Sequence, residues 1–387
     1  VGEAVQELGC LRARLPPAPH TSRPGPMVQV IYPAEAGEAL GNAGHRGCSC
    51  GAADSGCYFR PAAIDGMASS TGFPHWFAYL ALWRPAVEPV RPPAARRSAE
   101  GAGEQSGGGW PVVVFSSGLN GCLEVYTQLG REVASFGAIY VAVEHEDGSG
   151  SYAEDAETGE AIPFVRPPKN FSGRQDVISF RHAFLEKRVA ELKATVSYIK
   201  AVASSAVPAS ASHDEKAVLL HEILSGGDAG ALVLAGHSFG SASVILALQR
   251  GLGRQVKGAL LYDPWLESLP DSVIRAGVPV PNAIFISEEW AVWKEEVRRI
   301  HTLRRASRGR TLGGASFNGT RHQWISDAPL WMPSGFLRKL KIVGKSDRER
   351  VLGATSRATL LALRSFLESR GRQRAGSLDE RFGEVAP

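Results

Sequence analysis

From Trp110 onward, short apolar runs alternate with longer stretches of helical spacing. The runs are "PVVVFSSG" (111–118), "AIYVAVEH" (138–145), "ALVLAG" (231–236), "KGALLYD" (257–263) and "NAIFISEE" (282–289). Their length and β-branched content predict buried strands. Between them, the spacing predicts helices over 124–136, 177–202, 241–250 and 290–305, with a last one over 354–369. Strand and helix in alternation imply an α/β fold, a mostly parallel central sheet with helices on both faces. Upstream, "MVQVIYP" predicts a first strand.

The remaining sequence is less regular. Residues 1–25, rich in Pro, Arg and Ala, read as a poorly ordered arm, and 373–387 as a tail. A single domain is expected over 26–372, interrupted by low-complexity insertions at 37–61 and 85–109. No window approaches the ~18 uninterrupted apolar residues of a membrane-spanning helix. The formal charge of +4, from 43 basic and 39 acidic residues, is too small at this length to suggest a nucleic-acid partner.

Five cysteines are present, and three of them, Cys48, Cys50 and Cys57, cluster in "GCSCGAADSGC". Their spacing matches no zinc pattern; an inert insertion is the expected reading, with zinc ligation (joined by Cys10 or His45) or a disulfide as alternatives. No metal or organic cofactor is expected. The odd count and the lack of a signal-peptide pattern point to a cytoplasmic chain, or to a secreted one if an N-terminal signal precedes Val1.

The chemistry centres on "VLAGHSFGSASV", 233–244. Gly-x-Ser-x-Gly alone is weak, since 43 glycines supply on the order of a few tenths of such a match by chance. Here the motif follows a strand pattern and precedes a helical one, the setting of a nucleophile elbow. Ser238 is the candidate nucleophile, with Gly236 and Gly240 where a Cβ would collide. An acid and a base should follow in that order. Asp263 ends the run "GALLY", and His322 lies in the loop "NGTRHQWISD", whereas His301 sits in a helical pattern. The oxyanion donors should be the backbone N–H groups of Phe239 and of the loop "SSGLNG", with Leu119 first among its candidates. His237 is expected to face away from the chemistry and serve packing.

Together, "FSSGLNG", "YTQLGREVASFGAIYVAVEHEDGSGS", "GHSFGSASV", "ALLYDPW" and "RHQWISD" resemble the platelet-activating factor acetylhydrolases of the plasma and type II kind. The resemblance implies an α/β-hydrolase fold and a calcium-independent phospholipase A2 type esterase. Such an enzyme removes short or oxidised sn-2 acyl chains from phospholipids (1-alkyl-2-acetylglycerophosphocholine esterase type). It implies Ser238, Asp263 and His322 as triad and Leu119 and Phe239 as oxyanion donors. One departure stands out: the family's His-Gly-Leu-Gly is Ser117-Gly118-Leu119-Asn120 here. "FPHWFAYLALW", 73–83, is similar to the family's interfacial segment, with Trp76, Phe77, Leu80 and Trp83 near one helical face, which suits a membrane or lipoprotein surface; a core helix is the alternative. Other readings are a general carboxylesterase or polyester hydrolase of the same fold, or an inactive scaffold that binds lipid or protein.

Overall fold

The computed structural model describes residues 7–17, 23–34, 58–82, 109–171, 173–204 and 214–368. The chain begins with strands β1 (Glu7–Arg14) and β2 (Met27–Ala34), helices α1 (Pro61–Thr71) and α2 (His75–Leu82), strand β3 (Trp110–Ser116), helix α3 (Thr127–Ser135) and strand β4 (Ile139–Val143). A small hairpin, β5 (Tyr152–Glu154) with β6 (Ala161–Pro163), precedes helices α4 (Arg174–Ala203) and α5 (Glu215–Ser225). Then come β7 (Gly227–His237), α6 (Phe239–Gln249), β8 (Gly258–Tyr262), α7 (Asp271–Ala276), β9 (Asn282–Ser287), α8 (Glu288–Ala291), α9 (Lys294–Ala306) and β10 (Thr311–Phe317). Helices α10 (Ala328–Trp331), α11 (Ser334–Lys339) and α12 (Arg348–Glu368) follow.

Eight strands form one sheet in the order β1-β2-β4-β3-β7-β8-β9-β10. The β7–β8, β8–β9 and β9–β10 pairs are parallel, while β1–β2 and β2–β4 are antiparallel. The chain, expected to form one domain over 26–372, divides into two compact units, each assembled from three separated segments. One runs to Val113 and adds Asn120–Val165 and Ala194–Ala229; the other takes Val114–Leu119, Arg166–Lys193 and Gly230 onward. No described helix is long and apolar enough to cross a membrane.

The arm expected over 1–25 needs correction. Glu7–Arg14 is strand β1, paired antiparallel with β2 from Glu7↔Ala34 to Arg14↔Met27. Its composition hid a period of two: Gly9, Leu11 and Ala13 are buried, while Cys10, Arg12 and Arg14 are partly exposed. The arginines have partners, Arg12 donating to Gln29 at 2.9 Å and Arg14 to Glu146 at 2.8 Å.

Two further boundaries move. The run expected as strand through residue 289 stops at Ser287, which caps α8 by accepting a hydrogen bond from Trp290 N at 3.1 Å. The helix expected over 290–305 is accordingly two pieces, α8 and α9. Strand β10, which the apolar pattern missed, contains Gly313 and Gly314, and a Cβ at Gly314 would lie 2.0 Å from Ile284 O. Close backbone approach, rather than a hydrophobic run, defines that strand.

Candidate active site

All residues described in this site up to His322 and its neighbours belong to the second unit, from Val114–Leu119, Arg166–Lys193 and Gly230 onward. Strand β7 delivers His237, the chain turns at Ser238, and α6 starts at Phe239. Ser238 has φ 56° and ψ −119°, a backbone conformation costing about 1–3 kcal/mol for a residue with a side chain. The turn is held from several directions. Ser238 N donates to Tyr262 O at 2.9 Å, and Ser238 O accepts from Ser241 N at 3.0 Å and Trp265 N at 3.2 Å. The hydroxyl of Ser241 closes the elbow by donating to Gly236 O at 2.5 Å.

Both motif glycines are required by contact. A Cβ at Gly236 would meet Gly240 C and O at 2.5 Å, and one at Gly240 would meet Ser116 O at 2.0 Å and Ser117 O at 2.7 Å. Backbone packs on backbone there, so neither clash can be relieved by a rotamer change. The same tightness brings the loop after β3 to the serine: a Cβ at Gly118 would lie 3.2 Å from Ser238 Cβ. Leu119, the next residue, is partly exposed, and Phe239 is buried at the first position of α6.

Asp263 follows β8 at φ 40° and is fully buried. Its Oδ1 accepts from Ser287 N at 2.6 Å, and its Oδ2 accepts from Ser287 Oγ at 2.8 Å, from His322 Nδ1 at 3.0 Å and from Trp324 Nε1 at 3.3 Å. The acid thus meets four donors, which fix the orientation of both its oxygens. His322 lies in a short helical turn, His322–Ile325, after β10. Its backbone N–H donates to Glu289 Oε2 at 2.9 Å, and the other oxygen of Glu289 pairs with Arg321 at 3.2 Å. The loop carrying the imidazole is therefore tied to α8.

The expectation that His237 faces away from this chemistry is wrong. Its ring centroid lies 4.5 Å from that of His322. The strand alternation that sends Ser238 out is broken by the sharp turn, so adjacent residues reach the same place. Burial, and then the neighbouring His322, hold the His237 imidazole well below its ordinary pKa, against a hydrogen bond to the His322 backbone. It stays neutral at neutral pH. Among the described residues, His237, Asp263 and His322 also form a group with metal-ligand atoms within 4.8 Å of one another, but His322 Nδ1 already spends itself on Asp263.

Sequence reasoning overlooked other residues. Arg188 of α4, fully buried, donates from Nη1 to Ser117 O at 2.6 Å and lies 4.8 Å from the centre of the Phe239 ring. Nothing in a 30-residue helix with many charges marks it out. Ser287 and Trp290 carry a signal that a strand reading through residue 289 passes over, because Ser-Glu-Glu is a helix start with acidic residues in its first turn.

Described separately, the first unit holds α2, where Trp76 is 70% and Leu80 65% exposed, while Phe77 is half-buried and Ala78, Ala81 and Leu82 face inward. The Trp76 and Phe77 rings meet edge to face at 5.9 Å. Trp83, Cys48, Cys50 and Cys57 lie outside the described residues.

Residues 64–381 match the family described as platelet-activating factor acetylhydrolase, isoform II. A platelet-activating factor acetylhydrolase of Cavia porcellus is 26% identical over 290 residues, covering 72% of this chain and 61% of that protein. One of Canis lupus familiaris is 25% identical over 279 residues, 68% of this chain and 58% of that protein. A putative phospholipase A2 of Schizosaccharomyces pombe is 24% identical over 302 residues, 66% of this chain and 67% of that protein. The chain therefore spans less than two thirds of the length of the two mammalian relatives. Among solved structures, a ferulic acid esterase from Streptomyces cinnamoneus superposes with a TM-score of 0.60 at 16% identity, over 99% of this chain and 97% of that one. The likeness is one of fold, and that fold is the α/β-hydrolase.

Proposed function

The chain belongs to the platelet-activating factor acetylhydrolase, isoform II, family, and on that ground we propose that it is a serine esterase that hydrolyses short or oxidised sn-2 acyl esters of phospholipids. The observation that carries the reading is the Asp263–His322 hydrogen bond at 3.0 Å, with Asp263 directly after β8 and Ser238, at φ 56°, directly after β7. Asp263 occupies His322 Nδ1, which leaves Nε2 as the nitrogen that can take a proton from Ser238. Ser238 Oγ attacks the ester carbonyl, and its proton passes to His322. The oxyanion that forms is received by the backbone N–H groups of Phe239 and Leu119, with the N-terminus of α6 adding its dipole. His322 then protonates the leaving lysophospholipid oxygen, and water, activated by the same imidazole, releases the acyl group. No step calls for a metal or organic cofactor.

A lipid surface as partner is supported by Trp76 and Leu80, one helical turn apart and both exposed on α2. Replacing Trp76 and Phe77 by Ala should reduce binding to phosphatidylcholine vesicles more than hydrolysis of a soluble ester. Equal loss of both would favour a packing role.

Turnover of 1-alkyl-2-acetylglycerophosphocholine by the parent and by Ser238→Ala tests the main reading. Ser238→Ala should abolish both turnover and covalent labelling by a fluorophosphonate. Retained labelling removes Ser238 from its role. Brisk hydrolysis of aryl acetates with no phospholipid turnover would instead make the protein a general carboxylesterase.

A further inference from the structure

His322 is enclosed on three sides before any substrate arrives. Nδ1 faces Asp263 Oδ2. One face of the ring lies against the Trp290 indole, with centroids 4.1 Å apart and planes within 10° of parallel. The ring of His237 is 4.5 Å away at 36°. Both rings are therefore in van der Waals range of the imidazole.

Trp290 is itself fixed to the part of the chain that carries the acid. Its Nε1 donates to Pro264 O at 3.1 Å, next to Asp263. Its backbone N donates to Ser287 Oγ at 3.1 Å, and that hydroxyl in turn donates to Asp263 Oδ2 at 2.8 Å. Trp293 packs edge-on against the indole at 5.2 Å and 79°. The indole is buried and held at both ends, so its plane is set by the fold.

We propose that Trp290 is a positioning residue for proton transfer: its indole face fixes the plane of His322 and stabilises the imidazolium that forms during attack. In that step the Ser238 Oγ–carbonyl carbon bond forms, the carbonyl π pair moves onto oxygen, and the hydroxyl proton passes to His322 Nε2. The imidazole gains a positive charge at that moment. An indole face carries negative electrostatic potential, so it attracts the charged ring more than the neutral one, and in a desolvated site the preference is worth roughly 10- to 30-fold in rate. Asp263 bonds the ring edge and Glu289 the backbone, while the neighbouring His237 is neutral and offers no repulsion. The inference rests on the reading of Ser238 and His322 as nucleophile and base.

The experiment compares the parent, Trp290→Phe, Trp290→Met and Ser238→Ala, using 4-nitrophenyl acetate for kcat and KM, a fluorophosphonate for the labelling rate, and thermal melting. Trp290→Met should lower kcat and the labelling rate about 10- to 30-fold with KM within about twofold. Trp290→Phe keeps a weaker π-face and should recover kcat to within about fivefold of the parent. Trp290→Leu replaces the methionine variant if that one does not melt cooperatively. Two results in kcat overturn the proposal: an apolar variant within twofold of the parent, or a phenylalanine variant no better than the apolar one. A loss confined to KM overturns it as well. Turnover surviving in Ser238→Ala would sink the parent reading instead, which keeps the two failures apart.

Discussion

Ser287 holds Asp263 with two hydrogen bonds, from its backbone N–H to Oδ1 at 2.6 Å and from its hydroxyl to Oδ2 at 2.8 Å. The residue that starts α8 is therefore also the one that orients the acid, and the same hydroxyl accepts from Trp290 N. Ser287→Ala removes one of four donors to a buried carboxylate and one helix cap. It should cost about 1.5–3 kcal/mol in urea unfolding, and kcat should fall by about tenfold because Asp263 and Trp290 both loosen. Unchanged kcat together with lowered stability would mean that the remaining donors suffice to orient the acid.

Gly240→Ala tests the elbow directly. Its Cβ would sit 2.0 Å from Ser116 O, between backbone segments that cannot rotate aside. A loss of about 3 kcal/mol or more is expected, with fluorophosphonate labelling reduced in whatever fraction folds. Wild-type melting and labelling would show that the strand ends can part.

Arg188 should matter beyond its size. Its guanidinium binds Ser117 O and covers Phe239, the residues on either side of the loop-to-elbow contact. Arg188→Met leaves a buried carbonyl without its donor, which costs about 1–3 kcal/mol. Hydrolysis of a soluble ester should fall through kcat rather than KM, and Arg188→Lys should restore part of it. Stopped-assay kinetics alongside urea midpoints separate the two effects.

His237 gives the fold a pH dependence of known sign. Its folded-state pKa lies below that of the unfolded chain because burial disfavours the cation. As pH falls below the ordinary imidazole value of about 6.5, the unfolded chain takes up a proton that the folded one resists. Stability is then complete above that pH and declines beneath it, by up to about 1.4 kcal/mol per pH unit for this one residue. Urea midpoints between pH 5 and 8 should decline less steeply on the acid side for His237→Phe than for the parent. Parallel curves would show that His237 takes up its proton as readily in the folded protein as in the unfolded chain.

Much of the architecture was legible because buried strands write themselves as apolar runs: β3, β4, β7, β8 and β9 each overlap one. So was the order of Ser238, Asp263 and His322, since strand ends fix where side chains can gather. Strand β1 was not legible, because alternation in a segment rich in Pro and Arg is masked by composition until pairing with β2 sets which residues face inward. Strand β10 was missed for the opposite reason, its glycines serving backbone contact and not burial.

The sequence by itself determined which residues could carry the chemistry, because residue type and chain order are local properties. Tertiary structure alone decided what surrounds them. The indole against His322, the two bonds from Ser287 to Asp263, Arg188 beneath Ser117 and the approach of His237 join segments 24 to 85 positions apart. No periodicity records such pairs, since each arises only when strand ends and helix starts are brought into contact.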